Sequence, residues 1–536
     1  MGNILEIFVL SFFSFFAGYF PGRVLIQNFN FDKEEKFVLN FAFSFFLFYV
    51  SGFLSYVFNS NFTIFNGFFL LIFLILSFFH IYKKGFDIEE LKLLKNFFVV
   101  FLVLIFYQTL IPLYFGGLFY FDWFEHYLRS VFFLDRLPKN IVFEGYIIPS
   151  RPPFFNIVCF FYLSILGGEF YKYQIVSTLL NSMIILSIYL FCKKFLNIHN
   201  KNLFLIVSIL TLLNPAILRQ ITYTWTKAFC SFYIITGLYF YLKFIKEENT
   251  IFLITSSFLF GISFIVHFSA GSYIVPVFLH LFFKTLFNKK LIKKSALFFL
   301  TFLTVIFTYF SWSIKNYGVY NAFLATTAFQ QQKNLSLINR IEKDLFNFKK
   351  TLIPYPLKIY MRIFENSELL YKLFNNFHSV YICTIPGNLT ITLIVLLLIY
   401  LLKNVLIYPK KFNYNTKFLI LFLFSGYLLG TIVNPLPELS GVAHTGLLPL
   451  ACLFICFGIN YIFTLNKKSF YIFFISFFIE TIFVLCLFTF SYNFYSDINK
   501  ILYLVKTGKT DSSIFSNFLL KYYNSLIFLH DKIFLK

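Results

Sequence analysis

The chain has 536 residues, 59% of them hydrophobic and only 13% charged, with 45 Lys and Arg against 23 Asp and Glu. Soluble domains carry about 25% charged residues, so this composition, with a mean hydropathy of +0.77, excludes an ordinary soluble protein. It also removes the nucleic-acid partner that a formal net charge of +22 would otherwise suggest, because the Lys residues gather in short loops between apolar runs, the pattern of loops held on the cytoplasmic side of a membrane.

Apolar runs of a length that crosses a hydrocarbon core of about 30 Å predict an all-α polytopic protein with about 14 transmembrane helices. In chain order they are 4–20, 37–58, 62–82, 96–120, 173–192, 203–219, 225–243, 251–267, 271–287, 296–314, 388–407, 417–433, 442–464 and 469–490. The first lacks a basic leader and a small-residue cleavage site and is expected to be a retained span. The apolar piece 153–168 begins with Pro152-Pro153 and is expected to be re-entrant or to lie on the surface. The seven Cys form no C-x-x-C pair and suggest neither a disulfide framework nor a zinc site. No internal repeat is evident.

Lys-rich loops at 83–95, 193–202, 284–294, 403–417 and 466–468 mark the inner side. Alternation then puts 121–152, 219–225, 268–271, 316–387 and 434–441 outside. Of the seven Arg, all but Arg23 fall on that outer side, where charge bias would not put them. Guanidinium suits bidentate phosphate recognition, so outer arginines suggest a phosphate held at the outer leaflet. Headgroup contact or loop ion pairing is the plainer alternative. The layout divides the chain into N-terminal spans and an inner loop (1–95), a membrane core with the outer loop 121–152 (96–320), an outer hydrophilic segment (316–387), C-terminal helices (388–491) and an interfacial tail (492–536).

The outer loop 121–152 carries the main chemistry. Asp122, Glu125, His126 and Arg129 share one face of a helix by their spacing, opposite Phe124, Tyr127, Leu128, Val131 and Leu134. The pattern predicts an amphipathic helix on a membrane surface that presents its charged face to water. Group transfer to a hydroxyl or amine needs a base for the acceptor's proton and positive charge for a departing phosphate. Asp122, Glu125 and His126 are the catalytic candidates; Arg129, Arg151 and Lys227 are the phosphate-binding ones. Arg219, His267, Glu438 and His444 are further candidates at the outer ends of other spans. For each there is a plainer reading: helix capping for the acids, topology anchoring for Arg151, snorkelling beside Trp225 for Lys227, and packing for the histidines.

The sequence Asp122-x-x-Glu125-His126, followed by Arg151-Pro-Pro-Phe-Phe-Asn156 and Leu166-Gly-Gly-Glu-Phe170, resembles the GT-C membrane glycosyltransferases over residues 96–320, in particular their protein O-mannosyltransferase and lipid A aminoarabinose transferase branch. The resemblance implies a GT-C-like bundle with outer juxtamembrane helices. It also implies a sugar donor on a polyprenyl phosphate and a lipid, glycan or protein acceptor. By the same resemblance Asp122 is the key loop carboxylate, and Arg151 and Lys227 contact the donor phosphate. Three extra spans precede the one that leads into the loop here, and Arg151 stands where the family often has a carboxylate, leaving Glu144 more distant. These departures leave a divalent metal an open question. The expected location is a bacterial inner membrane with the site on its periplasmic face. The alternatives are a polymerase or ligase of lipid-linked glycans using 316–387, and a transporter or lipid flippase.

Overall fold

The computed structural model describes residues 2–109, 122–143, 146–326 apart from 213 and 223, 336–352, 414–433 and most of 448–482, and these are helical with no strand among them. The first helices are α1 (Gly2–Ala17), α2 (Phe20–Ile26), α3 (Lys33–Val57), α4 (Phe62–Lys84) and α5 (Ile88–Thr109). Next come α6 (Asp122–Leu134), α7 (Phe154–Leu166), α8 (Phe170–Leu190), α9 (Leu203–Leu212), α10 (Pro215–Thr222) and α11 (Lys227–Glu247). The remainder are α12 (Thr250–Val266), α13 (Gly271–Phe287), α14 (Ile292–Leu324), α15 (Leu337–Leu352), α16 (Tyr414–Val433) and α17 (Leu448–Ile462). Seven helical stretches among the described residues are long and apolar enough to cross a membrane: Ile4–Ile26, Lys33–Val57, Phe62–Lys84, Phe170–Phe195, Lys227–Glu247, Phe268–Phe287 and Lys289–Leu324. They fit an integral membrane protein.

The expected count of about 14 spans is not reached among the described residues. The clearest correction is at 203–219, where one span was expected and two short helices stand instead. Pro215 has no N–H to continue α9 and its ring crowds the preceding turn. Asn214 takes the N-cap position, its Oδ1 accepting from the Ile217 N–H at 3.1 Å, with Pro at the first helical position where its fixed φ is an advantage. The 10 residues of α9 reach about 15 Å, half of what a crossing needs. Predicted spans 251–267 and 442–464 appear as α12 and α17, with 17 and 15 residues. The inner loop expected at 83–95 is mostly helix, since α5 starts at Ile88. The segment 388–407 lies outside the described residues.

The chain forms two compact units, one built on Met1–Leu186 with Gln220–Phe229 and Tyr492–Lys536, the other on Ser187–Arg219 with Cys230–Ser491. The division falls within 96–320.

In the first unit, charged side chains gather at one end of the opening helices. Arg23 on α2 pairs with both carboxylate oxygens of Glu90 on α5, at 3.0 and 3.3 Å. Lys33 at the start of α3 pairs with Asp87 and Glu89. At the opposite end, Arg136 donates to the Ser60 carbonyl at 2.6 Å and lies over the Phe62 ring. This is the alternation expected of the first spans.

Helix α7 lies against α3, α4 and α6. Phe161 stacks on Phe48 at 4.2 Å and Phe154 on Tyr49 at 4.7 Å. The Asn66 amide bridges Ser51 and Ser164, accepting from the first and donating to the second, both at 2.9 Å. Such ring packing and polar cross-links hold helices together where lipid gives no hydrophobic drive. Its 13 residues reach about 20 Å, too short to cross. Gly167, with φ 103°, turns the chain at its end. This agrees with the expectation that 153–168 does not cross.

Helix α8 is buried all round, and its polar residues support irregular backbone. Between α10 and α11 the chain at Thr224–Thr226 is non-helical and buried. Its carbonyls are met by side chains: Gln108 Nε2 donates to Thr222 O and Thr178 Oγ1, both at 2.8 Å, and Asn181 Nδ2 donates to Trp225 O at 2.7 Å. Asn181 Oδ1 also accepts from the Phe229 N–H at 3.1 Å. Non-helical backbone at membrane depth survives only where protein satisfies it in this way. Replacing Asn181→Leu removes both bonds at similar volume and should lower stability by about 2–4 kcal/mol, measurable as a drop in thermal unfolding temperature of the detergent-solubilised protein.

Candidate active site

The site is built on α6. Asp122 opens this helix, as expected for a residue that follows an apolar run, and its side chain lies outside the described residues. Glu125, His126 and Arg129 follow on one face, but the face is not presented to water. All three are buried, and so are Tyr127, Leu128 and Val131 on the other side. The expectation of a surface helix is therefore corrected: α6 is packed on both sides, because the loop that follows it folds back over its charged face.

Arg129 makes that fold. Its Nε donates to Glu125 Oε1 at 2.6 Å, one turn back along the helix. Its Nη1 donates to Ile148 O at 2.9 Å, and its Nη2 donates to Ser150 Oγ at 3.0 Å and to Ile147 O. The Phe143 ring lies beneath the guanidinium. With its donors committed to the chain, Arg129 holds the loop 147–150 and is not placed to bind a donor phosphate, as it was expected to do. The other carboxylate oxygen of Glu125 lies 2.9 Å from Arg151 Nη2, as an ion pair. Glu125 thus stands between two guanidinium groups, which fits a positioning role rather than proton transfer.

Arg151 is the partly exposed member, its side chain 18% exposed against 1% for Arg129. Its Nη1 lies 3.4 Å from His126 Nε2. A guanidinium can only donate, so Nε2 accepts and the ring proton sits on Nδ1, which donates to Asn156 Oδ1 at 3.3 Å. These two contacts suit an imidazole that carries its proton on Nδ1. They also fix the Asn156 amide with Oδ1 toward the imidazole, leaving Nδ2 buried with no hydrogen-bond partner. Pro152 and Pro153 then lead straight into α7, so Arg151 and Asn156 are held by one rigid run of chain.

Phe155 packs against both His126 and Phe229, which brings the start of α11 to the same part of the unit. There Lys227 is buried, with Nζ over the Trp225 ring at 3.5 Å, a desolvated cation–π arrangement rather than a snorkelling one. Gln220 on α10 is also buried, with neither amide atom hydrogen-bonded. Buried polar atoms of this kind mark places for water or ligand. Tyr127 closes the back of α6, its hydroxyl donating to Gly168 O at 2.7 Å. Burial, with Asp135 and Glu169 adding to it, pushes its phenol up, so it remains a donor.

His267 belongs to the second unit and caps the end of α12, its Nδ1 accepting from the Ser269 N–H at 3.2 Å. Arg219 lies within α10 rather than in a loop, and its side chain is outside the described residues, as are Glu438 and His444 altogether. Among the described residues no three His, Cys, Asp or Glu side chains come together to hold a metal. Asn156 closes the Arg151-Pro-Pro-Phe-Phe-Asn156 motif but is given no site role by the sequence. Its place after the Pro pair, on a helix otherwise apolar for two turns, was the available signal.

No family model, curated protein or solved structure matches this chain.

Removing one partner of a buried ion pair costs about 3–5 kcal/mol, whereas replacing the whole pair by apolar groups is often neutral. Glu125→Ala should therefore sharply lower the unfolding temperature, and Glu125→Met combined with Arg129→Met should recover part of the loss. Equal unfolding temperatures for wild type and Glu125→Ala would show that the triad does not hold the loop.

Proposed function

We propose that the protein is a membrane glycosyltransferase that moves a sugar from a polyprenyl-phosphate carrier to a lipid, glycan or protein acceptor at the outer face of the membrane. The observation that carries this reading is Arg151. It is the partly exposed guanidinium of a cluster with one carboxylate for two guanidinium groups among the described residues, and it is pinned by Glu125 and His126 at the mouth of a Pro-Pro turn. A phosphate on a lipid carrier reaches such a place without leaving the membrane surface, and a rigid guanidinium recognises it by paired hydrogen bonds.

In the proposed reaction Asp122, at the start of α6, takes the proton of the acceptor hydroxyl or amine. The acceptor forms a bond to the anomeric carbon as the bond from that carbon to the phosphate oxygen breaks, inverting the centre. The bonding pair leaves with the polyprenyl phosphate, whose charge Arg151 and Lys227 offset. Glu125 and the neutral His126 position Arg151. Asn156 Nδ2 offers a further donor to a phosphate or sugar oxygen.

A second reading, a transporter or lipid flippase, draws on the broken pair α9–α10 and the buried irregular chain after it, since discontinuous helices build many transport sites. The two readings part at covalent chemistry. With donor carrying radiolabelled sugar in reconstituted vesicles, Asp122→Asn should cut transfer by about 100-fold or more while the protein stays folded. Transfer within a few-fold of wild type would remove Asp122 as base, and label that crosses the bilayer with no covalent product from wild type would favour transport.

A further inference from the structure

Helix α15 carries a surface that the proposed reaction does not use. Ser336 caps it, its Oγ accepting from the Asn339 N–H at 3.2 Å. Helical spacing puts Leu337, Ile338, Ile341, Leu345, Phe348 and Leu352 within one arc of roughly 100°. The structure leaves the first four of these exposed, Leu337 by 74% and Leu345 by 65%. Arg340 and Lys349 stand at the two edges of the arc, and the helix as a whole carries four basic residues against two acidic ones.

The opposite face is anchored. Lys343 is buried, and its Nζ donates to Ile432 O at 3.2 Å, in the last turn of α16. That helix exposes Phe424, Leu428 and Ile432, a stripe at four-residue spacing that runs to the same end. The apolar face of α15 therefore lies where the exposed apolar stripe of an apolar helix stops. Within α14, six residues before its end, Gly318 interrupts the helix with φ 79°, and Val319 and Tyr320 beyond it are exposed as well.

We infer that α15 is an interfacial helix whose apolar arc rests in the headgroup–acyl boundary of a phospholipid leaflet. Continuity with the stripe on α16 selects lipid as the occupant. The basic edges suit phosphate headgroups, because long cationic side chains bury their stems in the boundary and keep their charge at the surface. This holds whether or not the proposed transferase reaction does.

The test uses the full chain with Cys383→Ser and Cys486→Ser, so that the buried Cys159, Cys192, Cys230, Cys452 and Cys456 stay unreactive. A polarity-sensitive fluorophore is placed at Ile341→Cys, at Leu345→Cys or at Asn339→Cys on the polar side, and the protein is reconstituted in phosphatidylcholine–phosphatidylglycerol vesicles. Lipids brominated near the headgroup should quench the labels at 341 and 345 at least about two-fold more than the label at 339, and aqueous iodide should show the reverse order. Strong iodide quenching at 341 and 345 would place the arc in water and overturn the inference. Quenching by neither agent would mean that another segment of the chain covers the arc, and would overturn it equally.

Discussion

The arrangement depends on Glu125 being held between Arg129 and Arg151. The contact to Arg129 is local, one helical turn along α6. The contact to Arg151 spans the loop, and with Arg129 reaching the carbonyls of Ile147 and Ile148 it closes that loop onto the helix. Where the loop closes, the Pro pair begins α7, and where α7 begins, Asn156 meets His126. One carboxylate thus sets the loop, the entry to the short helix and the protonation of the imidazole.

Magnitudes decide what such a cluster is for. A charge buried alone costs several kcal/mol, while a buried pair gains little over a well-packed apolar replacement. The triad therefore adds little net stability, and its contribution is position. It keeps one guanidinium at a fixed, partly exposed place, which a lone flexible Arg at a membrane surface would not hold. The same logic governs the buried chain between α10 and α11. Gln108 and Asn181 restore the hydrogen bonds that a helix would have supplied, and so allow non-helical backbone among apolar helices.

Much of this was legible in the sequence. The spacing of Asp122, Glu125, His126 and Arg129 located α6 and its charged face, and Arg151-Pro-Pro marked the turn into α7. The flanking Pro and Gly residues of 153–168 marked the ends of the 13-residue helix α7. Burial was not legible, because an i, i+4 charge pattern is the same whether its face meets water or a countercharge from a distant loop. The break at Asn214-Pro215 was readable as a helix start, but the hydrophobicity of the window 203–219 hid it. Gln108 and Asn181 escaped notice, and Asn156 was read only as part of a motif, because single uncharged polar residues in apolar runs carry no signal until their partners are known. Glu438 and His444 lie outside the described residues.

The account turns on Arg151 being available to an anionic lipid while Arg129 is committed to the fold. The most direct measurement is the affinity of the purified protein in nanodiscs for a polyprenyl monophosphate without sugar, compared with Arg151→Gln and with Lys201→Gln at an exposed position. A charge-assisted hydrogen bond lost without replacement is worth about 1.5–3 kcal/mol, or roughly 10–100-fold in Kd. The account predicts a loss of that size for Arg151→Gln and no change for Lys201→Gln. Wild-type affinity in Arg151→Gln would contradict it.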